Sequence, residues 1–260
     1  MPTDTTVRRQ LLDFELGLAA SISDQTVEAD WGRAFLNPSL PQVWDASWMA
    51  IEEPGMAMGD LAALADNVFG EAGLSHRTVV ACDEADGRRL GAEAGDLPGW
   101  EVEGVDYMVW RADCGRRPNV EVREVQMGEI ATLRFDLIRD GFSAELAETE
   151  LPKQLLEFED RFGDAAEDRW FVAPGEEPAA TCRLMANGEI GQIEDVATLT
   201  AAQNGGLAQA VTLRALEESR AAGHQVTFLA VDSEDWPRLM YEKLGFVKVG
   251  RLHGLRRAPT

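Results

Sequence analysis

IEDVATLTAAQNGGLAQAVTLRAL (Ile193–Leu216) is the stretch on which the reading of this chain turns. It reads as a strand, a loop holding Gly205 and Gly206, and then a helix. A helix start presents unpaired N–H groups and a positive dipole end, and glycines let a ligand approach the backbone closely. Helices usually carry Asp or Glu in that first turn. Residues 196 to 216 contain neither, and Glu217 and Glu218 come only late in the helix. The chain has 46 Asp+Glu against 24 Lys+Arg and a formal net charge of −22, so the gap suits a guest that brings its own negative charge. A glycine-capped helix with a bland start is the competing reading of the same residues.

The bulk figures narrow the field. At 260 residues and 45% hydrophobic content the chain can bury a real core. Its acidic field repels nucleic acid and anionic membranes, and no Lys/Arg-rich run offers a local exception. The first residues, MPTDTTVRRQLLDFELG, hold no long apolar run, so neither a signal peptide nor a membrane span is expected, and the location expected is cytoplasmic. Cys82, Cys114 and Cys182 are scattered, and His76, His224 and His253 form no closely spaced pair, so no metal site is expected.

Outward from the opening stretch the elements fall into order. From residue 118 they run strand (Val120–Gln126), two helices, three strands joined by tight turns (Arg169–Gly175, Pro178–Ala186, Glu189–Thr200), the helix after Gly206, a strand (Gln225–Val231), a short helix and a closing strand or two. Ser233 or Asp235 is expected to cap the short helix, Pro237 to sit in its first turn and Gly245 to end it. A weak repeat links HRTVVACDEADGRRLGAEAGDLPGWEVEG from His76 with HQVTFLAVDSEDWPRLMYEKLGFVKVG from His224. Each copy follows a helix-like segment, Met58–Ala72 and Leu207–Ala222, and Val43–Glu53 is expected to hold the central strand of the N-terminal copy. The fold class is α/β (α+β): a mixed, mainly antiparallel twisted sheet flanked by helices, with two such units in tandem. The expected domains are 1–112 and 118–260, with the basic, Gly/Pro-bearing Arg111–Asn119 as linker.

Gln203-Asn204-Gly205-Gly206-Leu207-Ala208 fits Q/R-x-x-G-x-G/A, VATLTAAQ precedes it, and LMYEKLGFVKVG follows at the proper distance. In that order these motifs resemble the GCN5-related N-acetyltransferase (GNAT) superfamily over about residues 118–257, whereas GxGxxG and Walker patterns are absent. The resemblance implies acetyl-CoA as co-substrate. Val196, Ala197 and Thr198 would offer backbone groups to the pantetheine arm, and Gln203, Asn204, Gly205, Gly206, Leu207 and Ala208 would wrap the pyrophosphate. Tyr241 matches the family's general-acid position. As base, Glu194 and Asp195 stand on the central strand. Alternation lets only one face the cleft, and Glu194 is preferred over Asp195, a water relay or a neutral amine. The amide the family often carries seven residues before the tyrosine is Glu234 here. Trp236 is read as packing on the core or covering the cofactor. The N-terminal copy lacks the Gln-x-x-Gly-x-Ala loop, so residues 1–112 read as degenerate.

The function implied is acetyl transfer to a small-molecule or peptide amine, by a monomer or homodimer without nucleic-acid or membrane partners. A non-catalytic acyl-CoA sensor, and an acyltransferase using a longer acyl group or a hydroxyl acceptor, are the alternatives.

Overall fold

The same strand–helix–strand arrangement occurs twice in the computed structural model, which describes residues 4–175 and 177–259. The elements are α1 (Asp4–Ile22), β1 (Gln25–Ala29), β2 (Gly32–Leu36), β3 (Trp48–Ile51), α2 (Met58–Glu71), β4 (Arg77–Ala81), α3 (Glu84–Ala94) and β5 (Trp100–Trp110). There follow β6 (Arg123–Val125), α4 (Met127–Asp140), α5 (Ala144–Ala147), α6 (Leu151–Arg161), β7 (Glu167–Ala173), β8 (Ala180–Asn187), β9 (Ile190–Thr198), α7 (Leu207–Ala222), β10 (Val226–Asp232), α8 (Pro237–Lys243) and β11 (Phe246–Arg257). Two compact units emerge. One holds residues up to Tyr107 with Val231–Asp235 and the chain from Val249 on; the other holds Met108–Ala230 and Trp236–Lys248.

In the first unit β1, β2 and β3 pair antiparallel in turn, and β3 pairs parallel with β4 through α2. Parallel neighbours need a crossover, and α2 supplies it. Met58, Leu61, Ala65 and Phe69 recur at helical spacing along α2 and are all buried, joining Met49, Ile51, Val79 and Leu90 in one core. Each large side chain there contributes about 2 kcal/mol of burial. The strand beside β4 is residues 253–257 of β11, antiparallel, and not the β5 that follows in the N-terminal repeat. This unit is therefore closed by the C-terminal end of the chain, and the compact units are not two consecutive halves of the sequence.

In the second unit the strand order is β10-β9-β8-β7-β6. The antiparallel meander expected over residues 169–200 is present as β7, β8 and β9, over residues 167–198. The upstream strand is shorter than expected, three residues, and opens α4 through a capping box of Gln126 and Glu129. The short C-terminal helix begins at Pro237 with Trp236 as its cap residue, not Ser233 or Asp235. Gly245 does end it, with φ 96°, and a Cβ there would stand 1.9 Å from the Ala112 carbonyl oxygen. No helix among the described residues is long and apolar enough to cross a membrane.

One buried group in the first unit carries a pH signature. His76 is fully buried, stacked on Trp44 at 5.8 Å and edge-on to Phe69 at 5.3 Å. Burial pushes its imidazole below the ordinary histidine value, and the charges of Arg256 and Arg77 act in the same direction. The unfolded chain then binds the proton more readily. The contribution is complete above the unfolded value of about 6.5 and is lost as pH falls below it, at no more than about 1.4 kcal/mol per pH unit for one site. Denaturant unfolding followed from neutral to mildly acidic pH is expected to show this loss, and His76→Phe to lessen it.

Candidate active site

The site is built on the end of β9. Thr181 of β8 stands opposite Ala197 and Arg183 opposite Glu194, so Asp195 and Val196 together face one residue, Cys182. This is a β-bulge, and Asp195 takes the left-handed φ of 53° that it requires. On the other side, β9 pairs with β10 only through Ile190–Gln192 against Val226–Phe228. Among the described residues no further pair joins them, and β9 runs on six residues past Gln192 to Thr198. Val196, Ala197 and Thr198 are half-buried on this stretch, which β10 leaves unpaired.

After a turn at Thr200–Ala202 the chain reaches Asn204 (φ 64°) and Gly206 (φ 77°), left-handed residues on either side of Gly205. Gly206 is the residue before α7. It has no side chain to cap the helix, no acid stands in the first turn, and Ala210 N–H is the donor to Gly206 O. The amides of Leu207, Ala208 and Gln209 precede that ladder. Gln203, Asn204 and Gly205 are exposed. The tertiary fold brings two side chains that the sequence did not announce. Asp140, at the end of α4, accepts the Thr200 N–H at 2.6 Å, a bond that holds its carboxyl below the usual carboxylate range. Asn119 lies against Gly206, its Nδ2 3.4 Å from where a Cβ would be.

The matching helix start in the first unit is filled from within. Met58 N–H donates to Glu93 Oε2 at 3.0 Å and Gly55 N–H to Asp86 Oδ1 at 3.1 Å. Arg89 clamps both carboxylates and the Met56 carbonyl. The Met58 N–H, followed by Arg89, draws the Glu93 carboxyl down. Two helices in equivalent positions thus differ in one respect: α2 has its anion built in, and α7 leaves the place open.

Beneath α4 and α6 lies a buried charged network. Arg134 of α4 donates to Glu159 of α6 (Nε–Oε2 3.0 Å), to Thr181 Oγ1 at 3.0 Å and to Asp195 Oδ1 at 3.1 Å. Arg183 of β8 donates to Asp168 at 2.6 Å and to the Glu159 carbonyl at 2.8 Å. Both guanidiniums lie over the Trp170 ring. Burial, and then the charge of Asp195, pushes the Glu159 carboxyl up to about 7, against the opposing pull of Arg134. Arg134 remains charged.

This geometry corrects the alternation argument. Glu194 stands opposite Arg183 and so shares its face of the sheet, the face under α4 and α6. Asp195 reaches Arg134 on that same face because the bulge breaks the alternation. Both carboxylates therefore face one side, and Glu194 also accepts from Gln192 Nε2 at 2.6 Å. Arg134 and Glu159 went unread in the sequence. The signal was a cation on the apolar stripe Ile130–Arg134–Leu137, and an acid paired with Pro152 on the buried face of α6.

Tyr241 is buried on α8, edge-on to Phe246 at 5.8 Å, in the element that follows β10. Trp236 is 67% exposed, so of its two expected places, on the core or over the cofactor, it does not take the first. Cys182 is fully buried, which pushes its thiol well up and fits a structural role.

Residues 135–246 match the acetyltransferase (GNAT) family model. No curated protein matches the chain. Among solved structures, a conserved protein of unknown function from Staphylococcus epidermidis is similar at TM-score 0.70 and 14% identity, over 92% of this chain and 96% of that one. A GCN5-related N-acetyltransferase from Kribbella flavida is similar at TM-score 0.65 and 16% identity, over 97% and 96%. A tandem GNAT protein from the clavulanic acid biosynthesis pathway follows at TM-score 0.55 and 13% identity, over 88% and 79%. At these identities the likeness is one of fold.

Removing Arg134 leaves the buried Glu159 and the half-buried Asp195 without their shared cation. Arg134→Met is expected to destabilise the chain by about 3 kcal/mol in denaturant unfolding at neutral pH.

Proposed function

We propose that this chain, whose residues 135–246 match the GNAT acetyltransferase family model, is an acetyl-CoA-dependent N-acetyltransferase acting on a small-molecule or peptide amine. The observation that carries the reading is the open helix start at Gly206, set beside the unpaired end of β9, where the equivalent helix of the first unit is filled by its own carboxylates. A phosphate-bearing cofactor fits the residues present. The amides from Gln203 to Ala208 form an exposed loop with no competing side-chain cap, and a helix start favours an anion. Residues 118–260 supply this domain, and 1–112 the degenerate copy, closed by a strand from the C-terminus.

In this reading Val196, Ala197 and Thr198 hold the pantetheine arm through backbone groups, and Gln203, Asn204, Gly205, Gly206, Leu207 and Ala208 hold the pyrophosphate. When bound, the cofactor supplies a thioester carbonyl. With an acceptor that arrives as an ammonium, a carbon–nitrogen bond would form as the carbon–sulfur bond breaks, and two protons would leave the nitrogen. Glu194 takes one and passes it to water; the other balances the proton that Tyr241 gives to sulfur. The backbone N–H near Val196 bears the negative charge that develops on oxygen. The protein is proposed to act in the cytoplasm.

Gly206→Glu puts a side chain and a like charge at a left-handed position of the anion seat, and calorimetry is expected to register no acetyl-CoA binding while circular dichroism stays native. Tyr241→Phe is expected to lower kcat by about 100-fold in a thiol-release assay across an amine panel, with KM little changed. Cofactor binding without thiol release from any amine would instead favour the sensor.

A further inference from the structure

The buried network beneath α4 and α6 has a single opening. The side chains of Arg134, Glu159 and Arg183 are 5%, 9% and 1% exposed, whereas Asp195 is 27% exposed. Asp195 therefore carries the state of the network to the unpaired end of β9. It stands next in sequence to Glu194, on the same face. One guanidinium nitrogen, Arg134 Nη2, donates both to Glu159 and to Asp195. The two carboxylates compete for it.

We infer that Glu159 is a positioning residue for the acyl transfer: through the guanidinium it shares with Asp195, it sets the electrostatic field at Asp195 and at the neighbouring Glu194. This rests on the acetyltransferase reading above. When Glu159 is neutral, Arg134 is left to Asp195 and Thr181. When Glu159 ionises, it draws on Arg134, and the region beneath Glu194 and Asp195 gains a negative charge, which favours the withdrawal of a proton from the acceptor. The other groups facing this network are fixed partners. Asp168 of β7 is tied to Arg183 and to the Trp170 indole N–H, Thr181 of β8 bridges Arg134 to the Asp195 carbonyl, and Arg183 stands 3.7 Å from Asp195. Cys182 of β8 is held neutral by burial. Because the Glu159 carboxyl sits at about 7, the change falls near neutrality.

Two measurements test the inference. In the first, kcat/KM is compared between wild type and Glu159→Gln with one acceptor amine across pH. The ratio of wild type to variant is expected to rise about tenfold from about pH 6 to about pH 8. A ratio below one-to-one in no pH range and constant throughout is the signature of a merely structural residue and overturns the inference. Melting curves confirm that the variant is folded. In the second, carboxyl carbon NMR follows the Glu159 titration in wild type and in Asp195→Asn, independently of turnover. A lower midpoint in the variant is expected, and an unchanged one overturns the coupling. A wild-type chain that transfers acetyl to no amine overturns the acetyltransferase reading instead, and the carboxyl titration still decides the coupling.

Discussion

A single buried guanidinium, that of Arg134, ties together the elements around the candidate site. It joins α4 to α6 through Glu159, to β8 through Thr181 and to the bulge of β9 through Asp195. A left-handed backbone at a non-glycine residue costs roughly 1 kcal/mol or more. The bonds made to Asp195 hold it there. The bulge that results sets Glu194 and Asp195 on one face and lies within the stretch of β9 that β10 leaves unpaired. Packing, strain and the chemistry of the site thus meet at one residue pair.

The two repeats show how the same local architecture can be open or closed to an anion. Each has a parallel strand pair joined by a helix. At α2 the exposed amides are satisfied by Glu93 and Asp86, held by Arg89, so the favourable field of the helix start is used up within the fold. At α7 the position before the helix is a left-handed glycine, no acid stands in the first turn, and the Asp140 carboxylate is engaged further back at Thr200. In a chain of net charge −22, short-range donors of this kind are the means by which an anion could be held.

Much of this was legible in the residues. The strand–loop–helix run around Gly206, the meander before it and the repeated β-α-β-α-β order follow from periodicity and from glycine and proline placement, which depend on neighbours a few positions away. The helix start without an acid before α7 was legible because its signal, the absence of acids from 196 to 216, is local too. Arg134 and Glu159 were hidden because each reads as an unremarkable helix residue until the partner 25 positions away is known. The alternation rule failed at Asp195 because a bulge is a property of a strand pair, not of one strand.

By itself the sequence determined the order and kind of the elements, the acid-free helix start and the candidate residues along one continuous run from Glu194 to Ala208, since short-range sterics and hydrogen bonding govern all of these. Only the tertiary structure decided that β11, not β5, lies beside β4, that the first helix start is plugged by Asp86 and Glu93, and that both β9 carboxylates share a face above a buried Arg–Glu pair. These facts rest on contacts between residues far apart in the chain, and such contacts are set by which surfaces bury together rather than by the pattern within any one segment.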